Sequence, residues 1–126
     1  MVLRSSQITL SGLRFHAYHG VMAQERQTGG EFLVDLQVMC DLEKAVLSDD
    51  LADTLNYGTL YNLVHQEMMQ PSQLLEHVAG RIAKTVEMEF PQIEELTISI
   101  NKLNPPMGVD SDGAGVVLHL INDKTR

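Results

Sequence analysis

Tryptophan is absent, cysteine occurs once, lysine four times, and nine basic residues face seventeen acidic ones. A single Cys40 excludes an internal disulfide framework, and its place in a strand-like stretch reads as a buried apolar residue. The formal net charge of −8 argues against nucleic acid and anionic membrane as partners, because both require clustered Lys and Arg. No apolar run approaches the ~20 residues of a membrane span. Met1-Val2-Leu3-Arg4 runs straight into a strand pattern without a secretory leader, so the expected address is the cytoplasm. Glycine-rich phosphate loops, dinucleotide fingerprints and a serine nucleophile elbow are all missing. No internal repeat or low-complexity tract occurs, and 126 residues suit one domain, 1–126, with a real core.

What is present is an ordered series of periodic segments. Residues 6–19 read as one strand whose parity changes midway. Ile8 and Leu10 share one face, and Leu13, Phe15 and Ala17 continue it on the opposite parity, the mark of a bulge at Ser11-Gly12. Residues 21–30, which hold Glu25 and Arg26, read as a loop. A second strand over 31–42 alternates Phe32, Val34, Leu36, Val38 and Cys40 inward. After Ser48-Asp49-Asp50 breaks the pattern, residues 53–58 lead into a helix with Leu60, Leu63, Val64 and Met68 on its core stripe. Glu67 falls among those apolar positions with nothing in its own helix to explain it. Ser72 is placed to cap a second helix, whose stripe runs Leu75, Val78, Ala79, Ile82, Ala83 and Val86. Pro91 ends it. Leu96, Ile98 and Ile100 mark a third strand, Val116, Leu118 and Leu120 a fourth, and 103–113 is a loop of functional length stiffened by Asn104-Pro105-Pro106.

The order strand, strand, helix, helix, strand, strand predicts an α+β domain: a four-stranded antiparallel sheet with both helices on one face. The other face carries Asp35, Gln37, Thr97, Ser99, Asn101 and His119 and is too polar for a dry core. Two edge strands need covering, and copies of the same chain in a ring would cover them.

Two charged residues invite chemistry. Glu76 projects from the flank of the second helix's buried stripe, with Gly80 leaving room one turn on. It could hold a ligand that offers N–H groups, or simply suit the helix dipole. Lys102 is the one lysine that continues an inward strand parity, after Leu96, Ile98 and Ile100. It either lines a pocket or escapes to solvent at the strand end. His16 and His19, three apart on a strand, point to opposite faces and cannot share a metal from regular geometry, so no metal site is expected.

The assembled motifs closely resemble the dihydroneopterin aldolase family. They are Leu10-x-Gly12, Tyr18-His19-Gly20-Val21, Glu25-Arg26, Gly29-x-x-Phe32-x-Val34-Asp35, Ser48-Asp49-Asp50, Asp53-Thr54-Leu55-Asn56-Tyr57, Leu74-Leu75-Glu76 and Lys102-x-x-Pro105-Pro106. Each is weak alone; their order and spacing over nearly the whole chain are specific. Glu67 departs from the pattern, where an apolar residue is more usual. The resemblance implies a tunnelling fold, in which four subunits close a β-barrel and two rings stack into an octamer, with sites at subunit interfaces. It implies a pterin substrate, no cofactor and no metal. In it Glu76 and the Leu75 backbone would anchor the pterin ring, Tyr57 and the backbone near Leu55 would come from a neighbouring subunit, and Glu25 and Lys102 would face the substrate side chain, with Lys102, Tyr57 and Glu25 catalytic. The implied reaction is retro-aldol cleavage of 7,8-dihydroneopterin, with possible 2′-epimerisation. The alternatives are an epimerase of the triphosphate and a non-catalytic pterin-binding ring.

Overall fold

The computed structural model describes residues 1–104 and 110–123. Pro105 and Pro106, expected to stiffen the loop after Lys102, lie outside the described residues.

Four strands, β1 (Gln7–Ala17), β2 (Gly30–Met39), β3 (Glu95–Lys102) and β4 (Ala114–Ile121), form one antiparallel sheet in the order β1-β2-β3-β4. Between β2 and β3 run α3 (Tyr57–Met68) and α4 (Leu75–Glu89), both packed on the same sheet face. This is the β-β-α-α-β-β plan read from the sequence.

The bulge in β1 is where the parity change placed it. Leu10 pairs with Leu36 and Leu13 with Val34, so three steps on β1 match two on β2. Gly12 takes the left-handed conformation there, with φ of 66°, and its N–H donates to Asp35 Oδ1 at 2.7 Å. The inward residues Phe15, Ala17, Phe32, Val34, Leu36, Val38, Leu96, Ile98 and Ile100 are buried against Leu60, Val64, Met68, Val78, Ala79, Ile82 and Val86. Truncating one of the fully buried side chains, such as Leu60 or Ile82, would cost about 2–5 kcal/mol. The opposite face, with Asp35, Gln37, Thr97, Ser99, Asn101 and His119, is half-buried or exposed in the single chain.

Two local expectations need correction, and one short helix was not expected. Residues 21–30 are not all loop, because α1 (Ala23–Thr28) forms within them. It is anchored by Glu25, whose Oε1 accepts the Met22 backbone N–H at 3.2 Å, half of a capping box. A second short helix, α2 (Glu43–Ser48), precedes the Ser48-Asp49-Asp50 break and is followed by a 3-10 turn, Leu51–Asp53. Ser72 does not cap α4; the cap position is Leu74, with no side-chain hydrogen bond. The Ser72 hydroxyl is held instead by His77 Nδ1 at 2.8 Å and by Arg81 at 3.0 Å. Asn56, by contrast, caps α3 through the Gly58 and Thr59 N–H groups.

Glu67 also acquires a reason. Its carboxylate lies 3.5 Å from the Arg81 guanidinium of α4. The same guanidinium donates to the Glu67 and Gln70 backbone carbonyls at 3.2 and 2.7 Å, closing the α3–α4 connection.

Candidate functional site

Strands β1 and β3 run in the same direction, so their C-terminal ends, and the start of β2, meet at one end of the sheet. There α1 stands off the sheet and leaves a cleft of about 240 Å³ lined by His19, Glu25, Gly29, Phe32, Lys102 and Asn104, among others. Lys102 pairs across from Phe32 on the core side of β3, as its parity required, and its Nζ lies 5.9 Å from the Phe32 ring centroid. The ammonium donates to Glu25 Oε2. Both side chains are 18% exposed. The Lys102 hydrogen bond holds the Glu25 carboxyl below the usual carboxylate range, against the opposing effect of burial. Glu25 is therefore an anion near neutral pH, oriented by Met22 on one oxygen and by Lys102 on the other.

Gly20 makes room for this arrangement. A Cβ there would stand 2.5 Å from Glu25 Cβ and 2.7 Å from its Oε1, so any side chain at 20 would drive the carboxylate off Lys102. Arg26 grips the same turn through the Gly20 and Val21 carbonyls at 3.1 and 2.6 Å.

The other candidate residues fall in two places. Leu75 and Glu76 open α4, whose start is tied to the cleft end because the Gly20 N–H donates to the Ser72 carbonyl at 2.9 Å. Glu76 is exposed in the single chain and Leu75 half-buried; nothing within 4 Å would meet a Cβ at Gly80, so the space one turn on is open. Leu55 is buried and Tyr57 is 67% exposed. Both precede or open α3, whose twelve residues end at Met68 beside the α4 start. At 1.5 Å per residue, Tyr57 is about 16–17 Å along α3 from that end. One chain therefore brings Glu25 and Lys102 together, places Leu75 and Glu76 at the same end, and sets Leu55 and Tyr57 at the far end. His16 is exposed and bonded through Nδ1 to Glu31 at 2.7 Å, which raises its pKa, whereas His19 is buried. No group of three or more His, Cys, Asp or Glu converges among the described residues.

A four-stranded antiparallel sheet in the order β-β-α-α-β-β, with two helices on one face, is the protomer plan of the tunnelling fold. Comparison with known proteins narrows the class. The dihydroneopterin aldolase profile matches residues 8–119. A Staphylococcus epidermidis dihydroneopterin aldolase is 42% identical over 117 residues, covering 92% of this chain and 97% of its own length. The chain belongs to the dihydroneopterin aldolase family. Among solved structures, FolB of Vibrio cholerae superposes with a TM-score of 0.86 at 25% identity, covering 94% of this chain and 99% of that one. The E. coli dihydroneopterin aldolase, solved in complex with neopterin, shares the fold with a TM-score of 0.83 at 23% identity, covering 91% and 98%.

Proposed function

We propose that this chain is a lyase that splits 7,8-dihydroneopterin into 6-hydroxymethyl-7,8-dihydropterin and glycolaldehyde. The observation that carries the reading is the Glu25–Lys102 pair lining the cleft of a chain in this family. Cleavage begins when the hydroxyl on the second side-chain carbon loses its proton, through water, to the Glu25–Lys102 pair. The bond between the first two side-chain carbons then breaks, glycolaldehyde leaves, and the electron pair moves into the ring C=N bond to give an enamine. Proton return to the first carbon, with Tyr57 as relay, yields the product. The substrate's own C=N bond takes the electrons that other aldolases place on a metal or a lysine imine. A salt-bridged ammonium such as Lys102 is also a poor imine former. The reaction is thus read as independent of metal and Schiff base, with no cofactor.

Glu76 and the Leu75 backbone would hold the pterin's N–H edge, an ionised carboxylate accepting two bonds being both strong and orienting. Tyr57 and the backbone near Leu55 would reach that ring from a neighbouring chain, since the far end of α3 cannot serve its own Glu76. This reading requires a homo-oligomer, an octamer of two stacked rings whose sites lie between subunits. No described helix is long and apolar enough to cross a membrane, and with the buried thiol of Cys40 free the cytoplasm is the address that fits.

The test is incubation with dihydroneopterin and with its triphosphate. Glycolaldehyde from the unphosphorylated substrate, undiminished by chelator and with no adduct trapped by borohydride, is the expected result. Epimerised triphosphate without glycolaldehyde would make the chain an isomerase. Pterin binding without turnover would make it a non-catalytic ring, and zinc-restored activity after chelation would overturn the metal-free route.

A further inference from the structure

The turn at Tyr18-His19-Gly20 has no part in the chemistry above, yet it places a polar side chain in the core. His19 is 1% exposed. Its Nδ1 accepts the Ser72 backbone N–H at 3.1 Å, which puts the hydrogen of a neutral ring on Nε2. With the Gly20 N–H on the Ser72 carbonyl, two bonds join the end of β1 to the segment that enters α4. On its other side the imidazole meets the Phe32 ring edge-on at 5.3 Å, and that ring also carries Lys102 Nζ. His19 lines the cleft itself.

We propose that His19 is a positioning residue: a neutral imidazole that sets the first turn of α4, with Leu75 and Glu76, at a fixed distance from the Glu25–Lys102 cleft. The inference rests on the aldolase reading, in which one pterin spans both places. Histidine suits the task only without its second proton, because an Nδ1–H would face the Ser72 N–H donor to donor. The surroundings keep that proton off. Burial is the largest cause, with the Arg81 charge from α4 and the Lys102 charge from β3 adding to it. The nearby Met68 carbonyl at the end of α3 opposes them, and the pKa falls to about 4. Glu25 of α1, which lines the same cleft, has its charge engaged by Lys102. The buried Nε2 makes no hydrogen bond among the described residues, so Nδ1 is the atom that carries the registration.

Asparagine and glutamine separate this role from simple packing. In His19→Asn the side-chain carbonyl oxygen can stand where Nδ1 stands. In His19→Gln the longer side chain reaches the Nε2 position instead and leaves the Ser72 N–H unpaired. His19→Gln should lower kcat on dihydroneopterin about tenfold or more, since small misplacements at a reacting centre are costly. It should bind the bare pterin product, which is held by the ring contacts rather than by Glu25 and Lys102, within about twofold of wild type. His19→Asn should recover at least about half of the wild-type kcat. An asparagine variant no better than the glutamine one, or a glutamine variant whose product affinity falls as far as its kcat, overturns the positioning role. Should His19→Gln not fold, nitrogen-15 histidine spectra of the wild-type protein decide. A neutral Nε2–H tautomer retained at pH 6 supports the role, and an Nδ1–H or protonated ring there overturns it. A wild type that releases no glycolaldehyde refutes the activity, and the positioning role with it; an active wild type with failed rescue refutes the positioning role alone.

Discussion

Glu25–Lys102 and Glu67–Arg81 are alike in burial, at 18% and 18% exposed against 12% and 21%, and differ in what surrounds the cation. Arg81 spends its planar fork on the Glu67 and Gln70 carbonyls, the Gln70 side chain and the Ser72 hydroxyl, as well as on the Glu67 carboxylate. Those acceptors lie on the helix connection it closes, and a guanidinium whose two terminal nitrogens are so engaged has little left for a ligand. Lys102 has one hydrogen-bonded partner among the described residues, and its ammonium borders a 240 Å³ cleft. Burial and pairing are shared; donors left over beside a cavity are not. The second property is what separates a pair that can act on a substrate from one that holds a turn.

Mutation should break the comparison cleanly. Lys102→Ala should lower kcat by about a thousandfold, within the range of general acid–base contributions, while the bare pterin product binds nearly as before. Single-turnover kinetics beside equilibrium binding checks both, and equal loss in the two would reassign Lys102 to binding. The next largest effect concerns the far end of α3. Glu76→Ala and Tyr57→Phe proteins should each be almost inactive, yet regain about a quarter of wild-type sites when unfolded together and refolded as randomly mixed rings. Refolded mixtures that stay inactive, although each variant still assembles with wild-type chains, would place both residues in one subunit's site or in none. Arg81→Ala should leave kcat per folded molecule nearly intact and cost about 2–4 kcal/mol of stability, whereas Glu67→Leu should cost about 1 kcal/mol or less, both read from urea unfolding. A large loss of turnover in either would erase the distinction between the two pairs.

The smallest effect is a pH dependence. Because the folded Glu25 carboxyl titrates below its unfolded value, its pair with Lys102 contributes fully above about pH 4.3 and is lost as pH falls through the lower folded value. Wild type should therefore exceed Glu25→Gln in stability by about 1 kcal/mol or less at pH 6 and lose that margin as acidification carries the folded carboxyl through its titration. A margin independent of pH would mean that Glu25 acts through packing.

Most of the fold was legible because inward parity and helical stripes are local signals. The bulge at Gly12 announced itself as a parity change, and Lys102 was found by continuing the series Leu96, Ile98, Ile100. The six-residue α1 and α2 are too short to display a period, so neither carries a helical signal in the sequence. Ser72 looked like a cap because cap propensity is a statement about one residue, while Arg81 and His77, which claim its hydroxyl, stand up to nine positions on. Glu67 stayed unexplained for the same reason, its partner being fourteen residues away on the next helix. Within the site, the union of Glu25 with Lys102 crosses 77 positions and needed the fold or the family resemblance. For His19, nothing local can show that Ser72, 53 residues away, approaches its Nδ1.

The surplus residue in β1 has a consequence for deletions. Three steps on β1 oppose two on β2 between Leu10 and Leu13. Removing Gly12 would therefore restore an even ladder and leave Leu10, Leu13, Phe15 and Ala17 on the faces they already occupy. A strand of constant parity has no such spare position, since a deletion within it turns everything beyond it over. What the shortened chain would lose is the bend that a bulge puts into an edge strand. Curvature in this sheet is thus separable from its core, and the circumference of any ring built from it is open to change by one codon.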